Sequence, residues 1–146
     1  MSTGYSKRCI SESEEVVAAM KIQQVSAKTG LSIHTLRYYE QTGLVTPIAR
    51  APNGHRDYTD DDVYRILFVT HLRTAGMPIA DIRRYVEIAQ QDSSTVLERL
   101  HLLEAHQASI EQKIGGLRQH LGVISRKIDH YRETHKNQFR HRKANP

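Results

Sequence analysis

The most regular hydrophobic pattern in the chain lies in its last third. Apolar residues recur from Val96 to Tyr131 in alternating steps of four and three, and one polar residue, Gln107, interrupts the series. This spacing predicts a coiled-coil seam on a helix of roughly 54 Å at 1.5 Å per residue. The series consists of Val96, Leu100, Leu103, Gln107, Ile110, Ile114, Leu117, Leu121, Ile124, Ile128 and Tyr131.

A lone helix cannot bury such a stripe, and the rest of the chain is too small to cover it, so the pattern predicts a dimer. The pattern leaves the direction of the two helices open, and Gln107 is a candidate for fixing their register. Gly115 and Gly116 cost about 1 kcal/mol each relative to Ala. They indicate a close helix approach, a bend or defects that a strong coil tolerates. The residues predicted to form the dimer interface are Leu100, Leu103, Ile110, Ile114, Leu117, Leu121, Ile124 and Ile128.

Two shorter helical patterns stand near the start of the chain. The first has Ile22 and Val25 at near-helical spacing and ends at Gly30. The second begins at Ser32, a suitable N-cap, and ends at Gly43. Two short helices joined by a turn of about three residues that contains Gly form a helix-turn-helix.

The next stretch changes from the helical period to an extended one. The segments LVTPIAR and HRDYT flank the turn-prone residues 51–54, APNG, which predicts a β-hairpin, or wing. Thr59 and the three aspartates after it are typical of a helix start, and this third helix is expected to end at Gly76. Pro78 then suits the first turn of a short fourth helix.

These elements predict a mainly α fold, a winged helix-turn-helix followed by a long dimerisation helix. The expected domains are an N-terminal extension over 1–20, a DNA-binding domain over 21–91, a coiled-coil helix over 92–133 and a basic tail over 134–146. Whether the extension is native or derived from a vector is left open.

The formal net charge of +5 is placed unevenly along the chain. Residues 21–75 carry +2 and residues 134–146 carry +4, which suits a polyanionic partner such as nucleic acid, although a solvated basic surface has the same composition. A single cysteine, Cys9, excludes an intramolecular disulfide. No stretch reaches the roughly 18 apolar residues that span a bilayer, and we expect a cytoplasmic protein.

The second helix, SIHTLRYYE, combines a packing side with a side suited to DNA. Ile33 and Leu36 are expected to face the core, so neighbouring polar and aromatic side chains point outward. Arg reads guanine edges or holds phosphate, and Thr, His and Tyr hydrogen-bond to bases or phosphates. Tyr39 is interpreted mainly as packing. The outward residues are His34, Thr35, Arg37 and Tyr38.

At this point the chain resembles the mercury-resistance regulator (MerR) family of bacterial transcription regulators. The resemblance is carried by IQQVSAKTGLSIHTLRYYEQTGL, the wing with NGHRDYT, the segment DDDVYRILFVTHLRTAGMPIADIRRY and the long heptad helix, and it covers about residues 21–131. It implies a winged-helix DNA-binding domain and an antiparallel coiled-coil homodimer. It also implies a palindromic operator in an over-long promoter spacer, and activation by distortion of the DNA for RNA polymerase, often after an effector binds.

Carried over by position, the resemblance implies DNA contacts from both the second helix and the wing. Lys28, near the end of the first helix, is a weaker phosphate candidate, and Arg73 is placed where a second wing approaches the backbone. The implied DNA-binding residues are His34, Thr35, Arg37, Tyr38, Arg56, Tyr58, Arg73 and Lys28.

The effector is not indicated by any residue pattern. No cysteine follows Cys9, and His71 stands where related thiol-sensing members are expected to carry one, which argues against thiolate sensing of metals or aldehydes. His101 and His106 are five residues apart, which is poor spacing for one metal site on a helix, and we expect no metal or cofactor. About fifteen residues follow Tyr131, so a ligand would bind in a groove beside the coil, or the protein acts without one.

Three other interpretations compete with that of an activator that binds a promoter. The first is a coiled-coil interaction module without sequence-specific DNA binding, and the second is a simple repressor. The third, an enzyme, is disfavoured because the sequence has no phosphate loop, metal-spaced His/Glu set or nucleophile motif.

Overall fold

The computed structural model describes residues 19–143, and the described chain is mainly helical. Most of the predicted extension, including Cys9, lies outside the described residues. Within them the helices are α1 (Ile22–Thr29), α2 (Ile33–Gln41), α3 (Asp60–Thr74), α4 (Ile79–Ala89) and α5 (Val96–Lys143), with a 3-10 turn over Ser93–Thr95 before α5.

The chain packs as two compact units that divide between Leu72 and Arg73, near the end of α3. The first unit contains α1, α2, the wing and most of α3. The second contains α4, the 3-10 turn and α5. The division does not coincide with the domain boundary predicted between 91 and 92, because α4 packs against α5.

The helix-turn-helix forms as the sequence predicted. Gly30 ends α1 in the left-handed region with φ 72°, and its N–H donates to the Ser26 carbonyl. Ser32 caps α2, because its hydroxyl oxygen accepts a hydrogen bond of 3.1 Å from the backbone N–H of Thr35. The two helices pack together around side chains that are less than 3% exposed, namely Val25, Leu36 and Tyr39.

The predicted wing is a short hairpin around residues 51–54. Arg50 and Arg56 form an antiparallel bridge, and the N–H of Ala51 donates to the His55 carbonyl at 2.8 Å. Gly54 closes the turn with φ 82°, a conformation that Gly adopts without strain.

Met20, which precedes α1, pairs with the end of the wing through a second antiparallel bridge, to Tyr58. Backbone hydrogen bonds join the two residues in both directions, at 2.8 and 2.9 Å, and the Met20 side chain is buried. The expectation that residue 20 belongs to an extension is therefore wrong, since Met20 is part of the first unit.

A reciprocal cap starts α3 at the residue that the sequence indicated. The backbone N–H of Asp62 donates to the Thr59 hydroxyl at 3.1 Å, and the N–H of Thr59 donates to the Asp62 carboxylate at 2.9 Å. Two donors at the helix end are thereby satisfied. Val63, Ile66 and Val69 bury the inner face of α3.

The second unit is built on the contact between α4 and α5. Ile82, Val86 and Ile88 are the buried residues of α4. The Thr95 hydroxyl donates to the Ile88 carbonyl at 3.1 Å and joins the end of α4 to the start of α5. The fourth helix predicted after Pro78 is confirmed.

The last helix, α5, is longer than predicted. It contains 48 residues and is about 72 Å long at 1.5 Å per residue. The boundary expected at residue 133 is not a helix end, because residues 134–143 continue α5. Most seam side chains remain exposed in the single chain, with Leu117 68% and Leu121 62% exposed, whereas Leu103 and Ile110 are half-buried. Among the described helices none is both long and apolar enough to cross a membrane.

Candidate nucleic-acid interface

The outer face of α2 presents the polar side that the sequence predicted. His34 and Arg37 are exposed, and Thr35 is half-buried beside the N-cap, with its hydroxyl 2.9 Å from that of Ser32. Leu36 and Tyr39 point into the core. The helix thus has one packing side, and its N-terminal residues are accessible.

Tyr38 lies between these two sides and is half-buried. Its ring centroid is 6.4 Å from that of Tyr39, at a tilt of 56°. The contact restrains the Tyr38 ring, while part of the side chain remains accessible from the same face as Arg37.

A concavity of about 230 Å³ lies between the start of α1, α2 and the wing. Four cationic side chains line it, those of Lys21, Arg37, Arg50 and Arg56. Like charges gathered in one concave surface produce a positive potential that attracts phosphate oxygens. The remaining lining residues are Ile22, Gln23, Gly54 and His55.

The sequence did not single out two of these cations, Lys21 and Arg50. The Arg50 guanidinium donates a hydrogen bond of 2.9 Å to the Gly54 carbonyl, and this bond holds the side chain against the wing turn. The Lys21 ammonium lies 2.7 Å from the Asp57 carboxylate, and half of its side chain is exposed. The two residues are 29 positions apart in the sequence and come together only in the folded domain. Apart from the excess of positive charge, the sequence therefore did not indicate that they share a surface.

Arg56 occupies a different position from the one expected of a DNA contact. Its guanidinium Nε donates to the Glu40 carboxylate at 2.5 Å, and the two side chains are only 19% and 15% exposed. A mostly buried carboxylate needs a cationic partner, and Arg56 provides it. The pair joins the wing to α2.

The interpretation of Tyr58 as a surface DNA contact is wrong. Its side chain is 1% exposed, and its hydroxyl has no hydrogen-bond partner within residues 19–143. Burial raises the pKa of this hydroxyl above its ordinary value of 10.0, and the nearby positive charge of Arg56 opposes the rise. The pairing with Met20 turns the ring into the core.

The two remaining candidates, Lys28 and Arg73, are not among the residues that line the concavity. The Lys28 ammonium is 3.7 Å from the Asp60 carboxylate, and both groups are well exposed. Arg73 is exposed at the end of α3 and belongs to the second unit. Of the eight predicted DNA-binding residues, Arg37 and Arg56 line the concavity.

In the part of the chain that the structure describes, no three His, Cys, Asp or Glu side chains converge as a metal site requires. The chemistry of the first unit is that of a cationic surface beside an accessible helix end. Such a surface binds anions by charge and by hydrogen bonds from guanidinium and ammonium groups.

Comparison with known proteins agrees with this arrangement. Residues 20–87 match the family model described as MerR HTH family regulatory protein, and residues 63–126 match the model described as MerR, DNA binding. A relative in Haemophilus influenzae, described as an uncharacterized HTH-type transcriptional regulator, is 30% identical over 111 residues. The match covers 76% of this chain and 82% of that protein. The chain belongs to the MerR family.

Two solved structures of MerR proteins resemble the chain closely. One, from Listeria monocytogenes, has a TM-score of 0.74 and 32% identity, and the match covers 77% of this chain and 85% of the other. The second is HiNmlR, described as a MerR family regulator lacking the sensor domain, bound to promoter DNA. It has a TM-score of 0.71 and 29% identity, with 79% and 91% of the two chains covered.

This MerR protein is a DNA-binding transcriptional regulator, and its relatives are regulators rather than members of an enzyme class.

Proposed function

We propose that this MerR regulator binds a two-fold symmetric operator as a homodimer, with α2 of each protomer in the major groove and each wing beside it. The observation that supports this most is the concavity, where Arg37 of α2 and Arg50 of the wing line one cationic surface. A helix-turn-helix presents the N-terminal part of its second helix to base edges, while flanking cations hold the phosphates.

The proposed roles differ from residue to residue. Arg37 reads a base or holds a phosphate, because it is exposed on the outer face of α2, and His34 and Thr35 lie near the helix start. Lys21 and Arg50 neutralise phosphates beside the wing. Tyr38, Lys28 and Arg73 remain proposed backbone contacts from their exposure and from the family resemblance.

The exposed seam of α5 supports the proposed homodimer. Leu117, Leu121 and Ile124 are each more than half exposed in the single chain. Burying apolar surface contributes about 25 cal/mol per Å², so two copies gain stability when their seams meet. We assign this function to residues 92–133, and DNA binding to residues 21–91.

Charges beside the seam favour antiparallel helices over parallel ones. In a parallel pair, each g position lies beside the partner's e position in the next heptad. That arrangement would put Lys113 beside the partner's Arg118 and Lys127 beside the partner's Arg132. Both contacts join like charges.

In the register that puts Val96 opposite the partner's His135, an antiparallel pair removes these repulsions and adds an attraction. The e positions of the two helices then face each other near the middle of the coil, which brings Glu111 close to the partner's Arg118 at two symmetric places. A parallel pair offers one contact of opposite charges, between Arg99 and the partner's Glu104, against the two contacts of like charges. An antiparallel coil is therefore the better electrostatic solution.

For the regulatory step we propose activation. The dimer would bind in an over-long promoter spacer and deform the DNA so that both promoter elements meet RNA polymerase, with an effector shifting the balance between two DNA shapes. The compartment that follows from a promoter partner is the bacterial cytoplasm.

Transcription in vitro on a series of spacer lengths tests this proposal. Purified protein and RNA polymerase are combined with the native promoter and with versions shortened by one and two base pairs, which removes the need for distortion. We expect transcription of the native promoter to depend on the protein and that of the shortened promoter to be independent of it. Equal dependence on the protein at every length would contradict the distortion mechanism, and reduced transcription at every length would indicate a repressor.

A further inference from the structure

The seam of α5 changes its chemistry after Tyr131, although the helix continues to Lys143. The next positions in the same spacing are His135, Gln138 and Arg142. A coiled coil that continued past Tyr131 would need apolar residues at these positions. The last part of the helix is therefore suited to a surface other than an apolar seam.

This last part, residues 132–143, is called the overhang. It carries five basic residues and one acidic residue, and its described side chains are exposed. Phe139 is an exposed aromatic side chain within it, at 54%. The basic residues are Arg132, Lys136, Arg140, Arg142 and Lys143.

In an antiparallel dimer the overhang reaches the far end of the partner's helix. Seam positions pair in layers, and the two registers that bury most of the apolar residues put the partner's Val96 opposite Ile128 or opposite His135. In both registers residues 136–143 pass beyond the start of the partner's α5. The partner's chain leaves α5 at that point through its 3-10 turn and the end of α4.

The segment at this end of the partner is acidic. Residues 87–98 contain three acidic residues and no basic one. Glu87, Asp92 and Glu98 are all exposed, and Glu98 is paired with Arg84 at 2.7 Å. Leu97, 67% exposed, adds an apolar side chain beside them.

We propose that the overhang of one protomer docks on residues 87–98 of its partner, so that each end of the dimer coil is closed by a basic helix end on an acidic turn. The proposal rests on the antiparallel homodimer of the proposed function. Charge complementarity supports it, with a net +4 on the overhang against −3 on the segment. Phe139 adds an exposed aromatic side chain to the overhang, and Leu97 adds an exposed apolar side chain to the acidic segment.

Photo-crosslinking identifies the neighbour of the overhang directly. Phe139→p-benzoylphenylalanine replaces one aromatic side chain by another that bonds to nearby C–H groups on irradiation. Isotopically light and heavy full-length protein are mixed, allowed to exchange and irradiated without DNA. We expect mixed-isotope cross-links from position 139 to residues 87–98, identified by mass spectrometry.

The other outcomes separate failure of the contact from failure of the dimer. Sedimentation of the same sample as a monomer would overturn the homodimer and this contact together. A dimer cross-linked from position 139 to the partner's own overhang would show parallel helices and would again overturn both. A dimer with cross-links only inside one chain, or with none, would overturn the contact alone.

Matched charge reversals test the energetic contribution of the contact. Arg132→Glu with Arg142→Glu changes the seam side of the overhang, whereas Lys136→Glu with Arg140→Glu makes the same charge change on its outer side. Exposed ion pairs contribute up to about 1 kcal/mol each. We therefore expect the seam-side variant to dissociate into monomers with a constant roughly 3- to 10-fold higher, and the outer variant to change less.

Binding of the overhang to DNA is the competing outcome. If both reversals leave the dimer unchanged and weaken binding to random DNA equally, the overhang serves DNA and the proposed contact is wrong. Rescue of the seam-side variant by Glu87→Lys would show that the partner's acidic segment is the target.

Discussion

The Arg56 guanidinium and the Glu40 carboxylate form an ion pair that joins the wing to α2 and is mostly shielded from solvent. The pair lies at the edge of the concavity, so it determines how far the Arg50 side of the wing stands from the Arg37 side of α2. We therefore propose that Arg56 affects DNA binding through the position of the wing.

Glu40→Gln should lower both stability and affinity for the operator. The change leaves the Arg56 charge partly buried without its partner, which we expect to cost about 1–3 kcal/mol of the free energy of unfolding. Urea denaturation measures this cost. Asp57→Asn provides the control, because its pair with Lys21 is more exposed and should contribute no more than about 1 kcal/mol. Equal losses in the two variants would show that burial of the Arg56 pair has no special role.

Arg37→Ala should weaken operator binding by about 1–3 kcal/mol if the side chain reads a base. Because Arg37 is exposed on α2, we expect the free energy of unfolding to change by no more than about 0.5 kcal/mol. Titration of operator and random DNA at the same salt concentration measures the two affinities. An equal loss on both DNAs would show that Arg37 holds a phosphate and does not read sequence.

Arg50→Ala provides the comparison for a phosphate contact. Its guanidinium is held against the wing turn, where it faces the backbone in the proposed complex. We expect a similar loss of affinity on operator and random DNA, together with a decrease of about one in the slope of log affinity against log salt concentration. A loss confined to the operator would assign base reading to the wing.

Gly115→Ala and Gly116→Ala should each stabilise the protein by about 0.5–1 kcal/mol. A Cβ at either position meets nothing within 4 Å. Ala also lowers the conformational entropy of the unfolded chain relative to Gly, so less entropy is lost when the helix forms. Gly76→Ala should destabilise it, because Gly76 has φ 89° and its new Cβ would lie 3.0 Å from the Lys113 ammonium. Thermal unfolding measures all three. If the stabilised variants activate transcription poorly, the glycines supply flexibility that the regulator uses.

Tyr58→Phe should be neutral or stabilising at neutral pH, because the hydroxyl it removes is buried without a partner in the described chain. The raised pKa of Tyr58 means that the unfolded chain releases this proton first as the pH rises through 10.0. Above that pH, the free energy of unfolding of the wild type should fall relative to that of the variant. Below it, the difference between the two proteins should be constant. Urea denaturation from pH 8 to 11 gives the comparison, and a constant difference throughout would contradict the burial of the hydroxyl.

Much of the fold was predictable because its signals are local. Ser32 and Thr59 cap helices through bonds to residues three positions away, and Gly54 closes a turn of four residues. The heptad series likewise indicated α5 without any knowledge of tertiary contacts. Patterns of this kind depend on near neighbours in the chain, and the sequence displays them directly.

The errors arose where distant residues decide the environment. Tyr58 is buried because Met20, 38 positions earlier, pairs with it, and Arg56 is withdrawn from the surface by Glu40. The continuation of α5 past residue 133 was missed because a helix without an apolar stripe shows no period. Lys21 and Arg50 were missed because only the folded wing brings them together.

The most direct test of the central claim is footprinting of the purified protein on the DNA upstream of its own gene and of the neighbouring genes. The salt concentration should be about 0.15 M, which suppresses binding by charge alone. An antiparallel homodimer that uses α2 and the wing predicts one protected site with two-fold symmetry inside a promoter spacer, and the Arg37→Ala variant should protect it only at a higher protein concentration. Protection of a single asymmetric half-site, or protection that Arg37→Ala leaves unchanged, would contradict the account.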